Sequence, residues 1–192
     1  MIVVVSGLPR SGTSMMMQIL GAGGLDVLTD EVRVADESNP RGYMEYEPVK
    51  ASARSSDWVR EAEGKVVKVI AQLVPHLPPG HEYAILFMRR DLDEILESQS
   101  AMLARLGRRA AATNYAALKD VFERQLATAV AYVEAQPNMR SLTVDYVSVL
   151  GDPVASIESI TAFLGLDLDV ARAADVVDPA LYRERLGDSR NR

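Results

Sequence analysis

The residues best suited to chemistry lie near the start of the chain, where an arginine and three hydroxyl-bearing residues fall within a glycine-bounded segment. Residues 7–14 read GLPRSGTS and directly follow an apolar run over residues 2–5. A strand, a glycine-bounded loop and a helix N-terminus in this order direct backbone N–H groups at a phosphate. The ATPase form of this loop requires Lys before the final Ser/Thr, but this chain has Thr13 there and carries Arg10 inside the loop. The pattern predicts an anion-binding loop that is not built for ATP hydrolysis.

Two further cations stand where other predicted strands end. Lys68 lies near the end of an apolar run over residues 66–70, and Arg90 follows the run over residues 83–88. Ligands of parallel sheets bind beyond the carboxyl ends of the strands. Arg10, Lys68 and Arg90 are therefore expected to converge at one sheet edge, which predicts a ligand with several phosphate groups.

The elements that must position these residues alternate between strands and helices. Apolar runs predict strands over residues 2–5, 66–70, 83–88 and 142–144, and residues 25–28 could add a short one. Helical periodicity and capping residues predict helices over residues 12–22, 48–63, 91–106, 114–135, 152–164 and roughly 168–186, the last interrupted at Asp178-Pro179. This alternation predicts an α/β fold with three α/β/α layers and a parallel sheet. A chain of 192 residues fits one domain spanning residues 1–192.

Composition excludes several classes of function. The formal charge of −6 disfavours a nucleic-acid partner. The chain has no cysteine and two histidines, which excludes disulfides, thiol catalysis and cysteine-bound zinc, and no metal site is predicted. It contains no long apolar span and no signal-like segment, so we expect a cytoplasmic protein without a membrane partner.

Four segments together carry a resemblance to one protein family. They are residues 7–14 (GLPRSGTS), residues 90–98 (RDLDEILES), residues 39–45 (NPRGYME), and residues 144–146 (VDY) followed by 152–153 (DP) and 163–165 (FLG). In this context they resemble the sulfotransferases, and in particular small bacterial-type members, which use 3′-phosphoadenosine 5′-phosphosulfate (PAPS) as sulfuryl donor. The resemblance implies a P-loop nucleotide-binding fold and a small-molecule acceptor with a hydroxyl or amine group. It further implies that 3′-phosphoadenosine 5′-phosphate (PAP) is the product and that no metal is required.

The resemblance also implies roles for individual residues. The loop would hold the 5′-phosphosulfate, Arg90 and Ser98 would bind the 3′-phosphate, and Tyr146 would lie near the adenine. Arg10 could stabilise the oxygen that bridges phosphate and sulfate, and Lys68 would approach the sulfuryl group, since sulfuryl transfer depends on positioning and electrostatic stabilisation. The expected donor-binding residues are Pro9, Arg10, Ser11, Gly12, Thr13, Ser14, Arg90, Ser98 and Tyr146.

The chain departs from the family pattern where a catalytic base is expected. Cytosolic members carry a histidine two residues after the lysine matched by Lys68, and this chain has Ile70 there. A carboxylate base is then favoured, with Glu45 as the candidate and Glu47 behind it. The expected catalytic residues are Arg10, Glu45 and Lys68. Because the chain is short, its acceptor pocket could be open or completed by a second subunit in a homodimer.

Two other functions remain compatible with the sequence. A P-loop small-molecule kinase would use ATP and magnesium, although Thr13 at the usual lysine position argues against it. A nucleotide-binding relative that has lost its base would bind a ligand without turnover, and Ile70 is the residue that raises this alternative.

Overall fold

A parallel sheet organises the part of the chain that this computed structural model describes, residues 1–30, 32–107 and 115–182. Its strands are β1 (Ile2–Gly7), β2 (Val66–Lys68), β3 (Tyr83–Arg89) and β4 (Met139–Asp145). They lie in the order β2-β1-β3-β4, and every neighbouring pair is parallel. The carboxyl ends of all four strands therefore meet at one edge.

Helices connect the strands and cover the sheet. The α-helices are α1 (Thr13–Ala22), α2 (Leu92–Arg105), α3 (Tyr115–Glu134), α4 (Tyr146–Gly151), α5 (Pro153–Leu164) and α6 (Val170–Asp175). Short 3₁₀ helices span Glu47–Ala51, Asp57–Ala62, Ala71–His76 and Pro179–Leu181. None of the helices in the described ranges is both long and apolar enough to cross a membrane.

The sheet is buried on both faces, and its central strands contain continuous apolar runs, residues 2–5 of β1 and residues 83–88 of β3. In β1, Val3 and Val5 face a core formed with α1, α4, α5 and α6, whereas Ile2 and Val4 face the opposite core. That second core contains α3 and three of the 3₁₀ helices. Alternate residues of a strand point to opposite faces, so a continuous apolar run suits a strand covered on both sides.

The predicted α/β class with a parallel sheet between helical layers is confirmed. The predicted helix over residues 48–63 is wrong: two 3₁₀ helices, Glu47–Ala51 and Asp57–Ala62, occupy this stretch. Between them the Ser52 hydroxyl donates to the Val49 carbonyl and the Ser55 hydroxyl accepts from the Asp57 N–H, and such local side-chain hydrogen bonds favour turns over a continuous helix. The possible strand over residues 25–28 is reduced to one bridge, between Val27 and Val66.

Other boundaries differ by a few residues. The strand predicted over residues 66–70 ends at Lys68, and the one predicted over 142–144 extends to Met139–Asp145. The last predicted helical stretch, roughly 168–186 with an interruption expected at Asp178-Pro179, consists of α6 and the 3₁₀ helix Pro179–Leu181, so the interruption lies between Asp175 and Pro179. Its part from residue 183 onward lies outside the described residues, as does Asn114 of the helix predicted over 114–135.

Candidate functional site

A cavity of about 380 Å³ opens at the carboxyl edge of the sheet. Its walls come from the β1–α1 loop, the loop over residues 38–46, helix α2 and the C-terminal segment near Leu181. Two acidic residues line it, Glu45 and Asp178. Seven basic residues line it: Arg10, Arg33, Arg41, Lys50, Lys68, Arg90 and Arg105. Such an excess of positive charge suits a polyanionic ligand.

The β1–α1 loop presents a helix N-terminus to this cavity. Gly12 precedes α1 with φ of 101°, and no side chain among the described residues caps the helix there. The first N–H groups of an α-helix have no intrahelical acceptor, so those after Gly12 can bind an anion. Gly12 also lies against Tyr146, because a Cβ atom added to Gly12 would come within 2.5 Å of the tyrosine ring.

Nearly all of the predicted site residues line the cavity, and the exception is Ser11. The Ser11 side chain is fully buried, and its hydroxyl donates to the Leu8 carbonyl at 2.7 Å. The Ser11 N–H donates to the same carbonyl at 3.2 Å. Ser11 therefore closes the turn of the loop, while the residues that reach the cavity are Pro9, Arg10, Gly12, Thr13, Ser14, Glu45, Lys68, Arg90, Ser98 and Tyr146.

Arg10 joins the loop to helix α2. Its backbone has φ of 71°, which is uncommon for a residue with a side chain. Its Nε donates to the Ser98 hydroxyl at 3.0 Å, and its Nη2 donates to the Ser38 carbonyl at 3.1 Å. The Arg10 side chain thus lies beside Ser98, which the sequence analysis assigned to the 3′-phosphate motif.

Arg90 is held in a buried arrangement at the end of β3. Its Nε donates to the Glu94 carboxylate at 3.0 Å, and its Nη1 donates to the Arg10 carbonyl at 3.2 Å. The guanidinium lies 4.8 Å from the ring centre of Tyr146 and 5.1 Å from that of Tyr182. Cation–π contacts and a buried ion pair fix the direction of this side chain.

Lys68 connects the end of β2 to the β1–α1 loop. Its Nζ donates to the Ser14 hydroxyl at 2.9 Å and also to the Tyr43 carbonyl. Burial lowers the pKa of Lys68 to about 8, although the charge of Glu45 partly opposes this shift. A bound anion would, like Glu45, favour the charged form of the Lys68 ammonium.

Glu45 faces the cavity and Glu47 does not. The Glu45 carboxylate pairs with Arg33 at 2.8 Å and lies 3.4 Å from the Lys50 ammonium. Glu47 is half-exposed and pairs with the outer side of Lys50 at 2.6 Å. The structure therefore separates the two candidate carboxylates by their access to a ligand.

The loop over residues 36–46 forms one wall of the cavity. The Asp36 carboxylate accepts hydrogen bonds from the backbone N–H groups of Ser38 and Asn39 and from the Tyr43 hydroxyl. The pKa of Asp36 is lowered because these hydrogen bonds outweigh its desolvation. Asn39 in turn donates to the Ser14 hydroxyl at 2.9 Å. The wall is thus connected to both the phosphate loop and Lys68.

Sequence reasoning missed several residues that shape the site. Arg33 lines the cavity from a loop without a recognisable pattern, Arg41 belongs to the segment over residues 39–45 but was given no role, and Tyr182 comes from the far end of the chain. Only Glu94 had a local signal, because its position four residues after Arg90 suits an ion pair at a helix start. Within the ranges the structure describes, no three His, Cys, Asp or Glu residues cluster as a metal site would require.

Comparison with known proteins places the fold. No protein-family model matches the chain, and no curated protein matches it significantly. Among solved structures, the mouse sulfotransferase SULT7A1 complexed with PAP aligns with a TM-score of 0.54 and 16% identity, over 99% of this chain and 68% of that one.

Two further solved structures align over most of this chain. Retinol dehydratase in a complex with retinol and PAP has a TM-score of 0.52 and 18% identity, over 91% of this chain and 63% of that one. The sulfotransferase domain from the curacin biosynthetic pathway has a TM-score of 0.50 and 13% identity, over 97% of this chain and 78% of that one. This chain therefore spans between 63% and 78% of these two proteins, and its fold is that of the sulfotransferases.

Proposed function

We propose that this chain is a sulfotransferase that moves a sulfuryl group from PAPS to a hydroxyl or amine group of a small-molecule acceptor. One observation carries the proposal: a single cation-rich cavity is lined both by the helix N-terminus after Gly12, which no described side chain caps, and by Arg90 and Ser98, to which we assign a second phosphate. A donor with phosphate groups at two positions would use both. Structures of the same fold contain PAP, which supports this choice of ligand.

The residues present fit such a donor. We assign the 5′-phosphosulfate to the N–H groups after Gly12 and to the Thr13 and Ser14 hydroxyls, and the 3′-phosphate to Arg90 and Ser98. Tyr146 borders the same cavity beside Gly12, and we assign it to the adenosine. The cations of the cavity would supply the charge compensation that a metal ion supplies in ATP-dependent phosphoryl transfer.

Arg10 and Lys68 are the residues we assign to charge that develops during transfer. When bound, PAPS supplies a sulfuryl group whose bond to a phosphate oxygen breaks as the acceptor oxygen or nitrogen attacks. Arg10 would stabilise the departing oxygen, and Lys68 would hold the sulfuryl oxygens from the β2 side. Fixed donors in a water-poor site are effective for this purpose because they need no reorganisation.

Glu45 is the residue we assign as general base. It lines the cavity on the same side as Lys68, and the charge of Glu45 acts on the Lys68 ammonium. A base near the acceptor takes its proton as the new bond to sulfur forms. The acceptor side is bordered by Tyr46, Val49 and Leu73, which offer apolar contact to its body.

A turnover assay tests the proposal against its alternatives. Purified protein is mixed with PAPS and a panel of phenol, alcohol and amine acceptors, and PAP release is followed by chromatography. We expect acceptor-dependent PAP release and no nucleotide hydrolysis or transfer with ATP and magnesium. Transfer from ATP instead would identify a kinase, whereas tight PAP binding without turnover across a broad panel would favour the non-catalytic relative. The expected cytoplasmic location and possible homodimer stay predictions.

A further inference from the structure

Arg90 reaches the cavity with its direction already set by a carboxylate. The side chains of Arg90 and Glu94 are only 6% and 4% exposed, and their ion pair is 3.0 Å long. A buried carboxylate needs further hydrogen bonds to offset its lost hydration. Glu94 therefore depends on the groups that reach its second oxygen.

Tyr182 supplies a hydrogen bond to that second oxygen. Its hydroxyl donates to Glu94 Oε1, while Arg90 occupies Oε2. The Tyr182 ring also packs edge-on against Tyr146, with ring centres 5.4 Å apart and an interplanar angle of 82°. The Arg90 guanidinium lies within cation–π distance of both rings.

The C-terminal segment that carries Tyr182 has a second anchor across the cavity. Arg41 donates to the Val176 carbonyl and to the Asp178 carboxylate, the latter at 3.2 Å. Gln18 of α1 in turn donates to the Arg41 carbonyl at 3.3 Å. Two anchors on opposite sides hold this segment against the cavity, so the position of Tyr182 is determined by more than its own contacts.

The chemistry of an arginine explains why such an arrangement matters. A free arginine side chain has many rotamers, and ordering it when a ligand binds weakens affinity. A guanidinium that is already oriented offers its hydrogen-bond donors to a phosphate without that loss, and its planar geometry rewards correct alignment. Any group that fixes Arg90 before binding therefore strengthens recognition of the phosphate that Arg90 contacts.

We propose that Tyr182 is a positioning residue of the donor site: through Glu94 it fixes the direction of Arg90 and so sets the preference for a nucleotide with a 3′-phosphate. This inference rests on the proposed function, which assigns the 3′-phosphate to Arg90. A tyrosine that only walls the cavity would affect all nucleotides alike. A positioning role would affect only those with a 3′-phosphate.

The test compares PAP with AMP, which lacks the 3′-phosphate. Calorimetric titrations give the dissociation constant of AMP divided by that of PAP, so a high ratio means a preference for the nucleotide with a 3′-phosphate. This ratio is measured for the wild type, Tyr182→Phe, Tyr182→Ala and Glu94→Asp. Tyr182→Phe removes the hydroxyl and keeps the ring beside Arg90, and Glu94→Asp keeps the charge but shortens its reach. Tyr115→Phe is the matched control, because that hydroxyl contacts Ser100 at 2.8 Å and does not line the cavity.

We expect the ratio to fall about tenfold in Tyr182→Phe, as for loss of a hydrogen bond to a charged group, and further in Tyr182→Ala. Glu94→Asp should lower it similarly, AMP affinity should hold in Tyr182→Phe, and Tyr115→Phe should match the wild type.

An unchanged ratio in Tyr182→Phe, or equal weakening of AMP and PAP, would overturn the inference. A wild-type ratio near one would instead refute the assignment of Arg90 to a 3′-phosphate. Should Glu94→Asp fail to fold, as a denaturation curve would reveal, the conservative Tyr182→Phe variant decides the question.

Discussion

At the scale of single residues, burial lowers the pKa of Lys68, which could not be predicted from its position in the sequence. Only 7% of the residue is exposed, and its ammonium has two oxygen partners, the Ser14 hydroxyl and the Tyr43 carbonyl. These contacts do not fully offset desolvation, which lowers the pKa to about 8. A buried lysine of this kind costs stability in the free protein and becomes useful when an anion arrives.

This cost predicts a pH dependence of stability. The folded-state pKa of Lys68 is about 8, below the ordinary value, so above pH 8 the unfolded chain binds more protons than the folded chain. Stability then rises with pH. We expect the free energy of unfolding of the wild type, relative to Lys68→Met, to rise by about 2 kcal/mol between about pH 8 and pH 10. Denaturant titrations of both proteins at several pH values measure this difference.

Lys50 provides a control of opposite sign. Its side chain is half-exposed, and its contact with Glu47 raises its pKa. The contribution of Lys50 is therefore present below its unfolded pKa and is lost as the pH rises through the folded value. The stability of the wild type relative to Lys50→Met should fall at high pH. A constant difference between the wild type and Lys68→Met across the window would contradict the burial of a titrating Lys68.

The carboxylates of Glu45 and Glu47 give a second residue-scale prediction. Of the two, Glu45 lines the cavity and Glu47 does not, so we place Glu45 and not Glu47 within reach of a proton on a bound acceptor. We expect Glu45→Gln to lower kcat by a factor of about 10²–10⁴ while PAP affinity stays within twofold. Steady-state kinetics with PAPS and the best acceptor, together with PAP titration, measure both quantities.

Glu47→Gln is the matched control for this substitution. It removes a carboxylate from the same loop that pairs with the outer side of Lys50 at 2.6 Å, so turnover should resemble the wild type. Normal turnover in Glu45→Gln would exclude Glu45 as the base. Loss in Glu47→Gln alone would transfer that role to Glu47.

At the scale of elements, the predictable parts of the molecule are those with local causes. Strands β1 and β3 are continuous apolar runs, and the glycines around Arg10 mark a tight turn into α1, so the sequence indicates strand, loop and helix without knowledge of the rest. The stretch over residues 48–63 misleads because its apolar residues have helical spacing but its short 3₁₀ helices form only against the core. Contacts made by Tyr182 and Arg33 depend on chain segments that are distant in sequence, and no periodicity indicates them.

The junction of β1 and α1 carries the element-scale prediction. Gly12 has φ of 101°, and a Cβ atom there would meet the Tyr146 ring at 2.5 Å. Gly24, at the other end of α1, has φ of 103° with nothing within 4 Å of such a Cβ atom. Alanine at either position incurs strain of about 1–2 kcal/mol. Only alanine at Gly12 adds an overpacking term of about 1–3 kcal/mol.

Denaturation of the two alanine variants separates the cost of backbone strain from the cost of the steric contact with the Tyr146 ring. We expect Gly12→Ala to be less stable than Gly24→Ala by the overpacking term, and we expect PAP binding to be lost in Gly12→Ala only. Both variants share the same backbone strain, so their difference reports the contact with Tyr146. Equal stability of the two would mean that the Tyr146 ring moves aside without cost.

At the scale of the whole molecule, charge is distributed unevenly. The chain is acidic, with a formal charge of −6, yet within the described ranges seven lysine and arginine residues line one cavity. Basic side chains this close together repel one another, and among the described residues Glu45 and Asp178 are the acidic side chains that line the cavity with them. The fold therefore holds a cationic site together through its ion pairs and core, and an anionic ligand would relieve the repulsion.

A polyanionic ligand should therefore stabilise the whole fold and not only its binding loop. Elements far apart in sequence contribute to the cavity, from Arg10 to Leu181, so unfolding any one of them releases the ligand. At a PAP concentration of about 100 times its dissociation constant, the free energy of unfolding should rise by about 2.7 kcal/mol. AMP at the same concentration should give a much smaller gain, because it leaves Arg90 and Ser98 without a phosphate. Denaturant curves with each nucleotide at constant ionic strength measure the gains, and equal gains from AMP and PAP would refute the 3′-phosphate site.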